Sequence, residues 1–154
     1  MKRLAVSLFG LIALICFVNS CSKEDNEGII GEWELIQTYT VDKSEDGIRE
    51  WTSYPDSELP RPFLAFNEDE TFCYVGYIDG PKFPAELRLE GTWNVSDGKL
   101  YLMILGPEDT ISFEYDVKFE DRRLLLTNTL IIDVMDGQVE STKTYYYVRQ
   151  DRRK

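Results

Sequence analysis

Thr110-Ile111-Ser112-Phe113-Glu114-Tyr115-Asp116-Val117-Lys118-Phe119-Glu120 is the stretch that decides the fold. Every second residue from Ile111 to Phe119 is apolar, and those between are polar or charged. A period of two sustained this long predicts a half-buried β-strand with one dry face and one wet face. The alternation recurs upstream. Leu87, Leu89, Gly91, Trp93 and Val95 interleave with Glu86, Arg88, Glu90, Thr92 and Asn94, and Trp33, Leu35, Gln37, Tyr39 and Val41 give a third face near the start. Further strand-like runs cover 63–67, 71–78, 99–105, 124–134 and 139–149, with a short additional candidate at 48–54. Beyond the first twenty residues no window carries a helical period.

Turn chemistry joins these runs. Asp46-Gly47, Asp97-Gly98 and Asp136-Gly137 supply the positive φ that tight hairpins need. Asn67-Glu68-Asp69-Glu70 and Glu120-Asp121-Arg122-Arg123 separate two more pairs of strands. Hairpins between near neighbours make an antiparallel meander, and closing the meander removes its exposed edges. The expected fold is all-β: an antiparallel up-and-down barrel of eight to nine strands over residues 29–150. An immunoglobulin-like sandwich is the other arrangement for such strands, but it lacks its Cys…Trp…Cys framework here.

Length and composition narrow the function. The 154 residues suit one domain. With 17 Lys+Arg against 28 Asp+Glu, the net charge of −11 argues against a grip on nucleic acid, which needs a basic footprint. The absence of histidine removes serine–histidine and cysteine–histidine nucleophile pairs and all histidine metal sites. There is no phosphate loop, no Gly-x-Ser-x-Gly elbow and no Cys-x-x-Cys. The acidic clusters 68–70 and 108–109 lack calcium-loop spacing and read as solvated turns. The chain is therefore expected to be non-enzymatic, without cofactor or metal.

The N-terminus reads as an address. Met1-Lys2-Arg3 is a short positive region, and Leu4 to Val18 is an apolar run too short for a permanent span. Val18-Asn19-Ser20-Cys21 resembles a bacterial lipobox, which implies a cleaved signal helix at 1–20 and acylation, palmitate included, of Cys21. A plain secretory signal is the alternative. Ser22 lacks the aspartate that favours inner-membrane retention in such lipoproteins, and Lys23-Glu24-Asp25 resembles a surface-export tag. The implied location is the outer membrane, lipid-anchored, with display on the cell surface. Residues 21–28 then form an acidic tether and 151–154 a charged tail. Cys73 would remain the only free thiol of the mature chain.

A second resemblance covers the domain itself. Gly31-Glu32-Trp33, opening the first strand, resembles the Gly-x-Trp signature of lipocalins and lipocalin-like domains. The run 90–100, with Trp93, is similar to a hairpin of bacterial lipocalin-like lipoproteins. By the same resemblance, Arg149 in the last strand is expected to pack across Trp33, a cation–π contact of roughly 0.5–2 kcal/mol. The Thr-Asp-Tyr triplet of the classical branch is absent. The resemblance implies a barrel that holds a small, mostly apolar ligand.

Eight strands leave an interior just wide enough for side chains or one small ligand. The faces expected to point inward carry Gln37, Tyr39, Tyr74, Tyr101, Tyr115, Asn128, Tyr145 and Tyr147 among aliphatics. Convergent, they would supply the few polar groups of a small-molecule site; otherwise the tyrosines are simply good strand residues. The long segment 43–62 contains Trp51, which either caps the open end over a ligand or packs on the outer wall of an overhanging hairpin. The competing function is a protein-interaction module with a solid barrel core, its acidic surface recognising a basic protein partner.

Overall fold

The computed structural model describes residues 28–78, 85–106, 109–134 and 137–150. The signal segment, Cys21, most of the tether and the 151–154 tail lie outside these residues. The described residues form nine strands: β1 (Gly31–Ser44), β2 (Gly47–Ser53), β3 (Phe63–Phe66), β4 (Thr71–Ile78), β5 (Ala85–Ser96), β6 (Lys99–Leu105), β7 (Thr110–Glu120), β8 (Arg123–Val134) and β9 (Gly137–Arg149). Every ladder is antiparallel, and β1 pairs with β9 to close the sheet. The result is an eight-stranded barrel with β2 as an additional strand.

β1 is the clasp. Its lower half, Gly31–Glu34, pairs with β3, its upper half, Thr38–Ser44, pairs with β2, and β9 runs along its other side. β2 and β3 thus lie one above the other beside β1, interrupted by the excursion 54–62. That excursion leaves the wall at mid-height, where the Leu35 amide donates to the Pro62 carbonyl at 2.9 Å. Of the two readings of segment 43–62, the overhanging hairpin is the one observed, while Trp51 sits in register with Thr40, not on the outer wall.

The barrel is closed at its base and split above it. β7 pairs with β8 only from Asp116↔Thr127 to Glu120↔Arg123, and β5 pairs with β6 only from Thr92↔Met103 downward. Above those levels the wall divides into three ribbons: β4–β5, β6–β7 and β8–β9–β1–β2. The base turns are tight. Asp97 and Gly98 have φ of 54° and 74°, and Asp121 and Arg122 have 47° and 65°; two successive positive values are what the right-handed strand twist selects in a two-residue hairpin.

Large side chains fill the base. Ile29, Trp33, Phe66, Trp93, Leu100 and Leu124 are all at most 3% exposed and belong to one cluster. Phe66 meets Trp93 edge-on at 5.2 Å, and Trp33 lies 6.1 Å from Phe119. The Trp33 indole donates to the Ile29 carbonyl at 2.7 Å, so the chain entering β1 plugs the floor. Gly31, with φ of 137°, starts β1 beneath Arg149. The Arg149 guanidinium lies 4.9 Å over the Trp33 ring, and its Nη2 donates to the carbonyls of Gly28 at 3.1 Å and Ile30 at 2.7 Å. Burying side chains of this size contributes about 1.5–3 kcal/mol each.

Candidate functional site

Above the packed base the interior is hollow. A cavity of about 190 Å³ opens upward between the ribbons, walled by Leu35, Phe72, Leu102, Phe113 and Leu126 among others. Tyr74, Tyr115, Tyr145 and Tyr147 complete its lining. β4 contributes Phe72 and Tyr74, β7 contributes Phe113 and Tyr115, and β9 contributes Tyr145 and Tyr147, each pair two residues apart as the pleat requires.

The four tyrosines stay protonated. Burial pushes Tyr74 and Tyr145 up, and it raises Tyr147, which is only 5% exposed, well above the usual phenol range. Tyr115 is pushed up to about 12, chiefly by burial and then by the neighbouring Tyr145 and Tyr74. Tyr115 and Tyr145 meet edge-on at 6.2 Å. The site is a greasy cup with neutral hydroxyl groups, which suits an apolar guest with a weak polar handle. Among the described residues, no three acidic or cysteine side chains converge to hold a metal.

The remaining candidates lie elsewhere. A β-bulge between Leu35 and Gln37 shifts the register against β9. Leu35 pairs with the inward Tyr147, but beyond the bulge Thr38 pairs with the inward Tyr145, while Gln37 and Tyr39 pair with Tyr146 and Thr144 on the other face. Gln37 and Tyr39 therefore point outward, contrary to the expectation from alternation. The Tyr39 hydroxyl donates to the Glu50 carboxylate at 2.5 Å on the exterior, and this bond raises its pKa. Tyr101 also faces out, opposite Asn94 and Glu114. Asn128 faces in, but one step above the cavity lining, level with Thr40, Lys143 and Trp51. Trp51, 45% exposed, stands on the inner side of the overhanging ribbon, outside the cavity lining.

Apart from Asn128, the sequence points only to tyrosines, Gln37 and Trp51 as site candidates and leaves the other lining residues and interior polar groups unnamed. Phe72 and Phe113 share parity with Tyr74 and Tyr115, so the same alternation contains them. Lys143 and Ser141 follow from Tyr145 in the same way. Thr40 and Asp42 could not be found, because the bulge alone turns them inward. Cys73 is half-buried on the outer face of β4, its thiol pushed up mainly by burial and partly offset by Arg88. Comparison with family models, curated proteins and solved structures finds no match.

Proposed function

We propose that this chain is a lipid-anchored lipoprotein of the bacterial outer membrane whose lipocalin-like barrel binds a small, mostly apolar ligand. The observation that carries the reading is the cavity: open at one end, lined by aliphatic and aromatic side chains, and ringed by four neutral tyrosines. The lipobox-like Val18–Cys21 and the Gly31-x-Trp33 opening supply the anchor and the family likeness. Arg149 stacked over Trp33 supports that likeness. The hollow interior favours this reading over an interaction module with a solid core.

Size sets the ligand. A cavity of about 190 Å³ falls below the roughly 300–1,000 Å³ of drug-sized pockets and near the roughly 150 Å³ that holds benzene in an engineered core. The guest is thus a single ring, or the short tail of a larger amphiphile whose remainder extends between the ribbons. Native mass spectrometry of the chain carrying Cys21→Ala, combined with displacement of a fluorescent fatty acid, tests this. One ligand per chain is expected, with at least tenfold weaker binding when Leu126→Phe and Leu102→Phe fill the cup. Absence of displacement, or binding indifferent to both fillings, defeats the proposal.

A further inference from the structure

One step above the cavity the inner wall changes character. Thr40, Lys143 and Asn128 stand side by side on β1, β9 and β8, with Trp51 flanking Thr40 on β2. The next row carries Arg49, Asp42 and Ser141, with Leu130 opposite Ser141. The band is partly sheltered: Thr40 is 3% and Ser141 5% exposed, Asp42, Asn128 and Lys143 are half-buried, and Trp51 is 45% exposed. Moreover, Asp42 Oδ1 and Asn128 Oδ1 are buried without a hydrogen-bond partner among the described residues. Orphaned acceptors of this kind cost free energy and need an explanation. Lys143, half-buried in the same row, makes no ion pair among the described residues, whereas Lys43, Lys99 and Lys118 on the outer wall all do.

We infer that this band is the head-group site of the cavity's ligand, and that the ligand is an amphiphile with an anionic group beside an N–H or O–H donor. The inference rests on the ligand-binding reading above and gives it a chemical class. Lys143 supplies a cation with three donors and calls for an anion. Asn128 supplies an acceptor and calls for a donor, while Asp42, one row higher, has Arg49 opposite it. A tail in the cup below places its head about 7 Å higher, one two-residue step along β9 from Tyr145 to Lys143. An N-acyl amino acid, with its amide N–H next to a carboxylate, has that pattern. A plain fatty acid offers only the anion, and a fatty alcohol lacks it.

The test uses three probes of equal tail length, N-octanoylglycine, octanoic acid and 1-octanol, titrated against the full chain reconstituted in nanodiscs. The N-acyl amino acid is expected to bind tightest and the alcohol weakest, with ten- to hundredfold between them, the range for a charge-assisted hydrogen bond in a partly dry site. Lys143→Met is expected to erase the preference for acid over alcohol while leaving 1-octanol affinity within twofold. Asn128→Ala is expected to narrow the gap between N-octanoylglycine and octanoic acid. If 1-octanol binds as tightly as the acids, or Lys143→Met preserves the acid preference, the head-group site is overturned and the cavity reading survives. If none of the three binds, both fall.

Discussion

Adding one methyl group at Gly91 probes how the cavity comes to exist. β5 leaves β6 just above the Thr92↔Met103 pair, and Gly91 is the residue at the departure point. A Cβ there would lie 2.0 Å from the Met103 carbonyl oxygen and 2.9 Å from Phe72 Cε1. The ring can rotate aside, but the carbonyl is backbone in a ladder and cannot. Overpacking costs about 1–3 kcal/mol, more where backbone must move, and restricting the unfolded chain by replacing glycine returns only about 0.4–1 kcal/mol. Gly91→Ala should therefore destabilise the barrel by about 2 kcal/mol or more. Urea unfolding followed by tryptophan fluorescence reads this as a lower midpoint at unchanged slope. Phe72→Leu in the same background removes the ring contact but not the carbonyl contact, so it should not restore stability. An unchanged midpoint for Gly91→Ala, or full rescue by Phe72→Leu, refutes the reasoning.

The base and the tyrosines give three further expectations. Arg149→Ala removes two carbonyl contacts and the stacking on Trp33, and should cost about 1–3 kcal/mol in thermal or urea unfolding. Arg149→Lys should recover only part of this, since an ammonium does not reproduce the planar fork. Ile29→Ala, at a position with no exposed surface, should cost about 2–5 kcal/mol while leaving probe binding in the separate upper cavity intact. Alkali should unfold the domain through its tyrosines. Tyr115 holds its proton more tightly folded, at about 12, than at its ordinary 10.0, so stability is full below pH 10 and lost as pH rises toward 12. This one group accounts for about 2–3 kcal/mol, and tyrosinate absorbance should rise together with unfolding.

The strands were legible because most have one wet face. In β7, Ile111 to Phe119 alternate so regularly that strand and inward face follow together. In β1 the strand was legible but the faces were not. A bulge inserts Ile36 without changing the composition, and Tyr39 and Val41 make the outward face look like the dry one. The adjacent pair Leu35-Ile36 is the only trace of the slip. In β6, apolar residues on both sides hid the outward turn of Tyr101. Segment 54–62 was legible as irregular, but its exit at mid-height depends on β2 and β3 sharing one flank of β1, a long-range pairing that no local pattern encodes. The hollow was implied by the family resemblance and not by the alternation: a cavity is where side chains fail to meet, and alternation records only which way they point.

Both described ends of the chain lie at the closed floor. Arg149 ties itself to Gly28, and the Gln150 amide donates to the Glu32 carbonyl at 2.8 Å. The stem that leads back to Cys21 therefore leaves from the blunt end, with an extended reach of about 25 Å at most. With the acylated Cys21 proposed above as its anchor, the molecule would stand like a goblet on its foot, rim averted from the bilayer. Cargo would then pass between the cup and the aqueous side, and a lipid drawn from the protein's own membrane would have to travel around the outside to reach the rim.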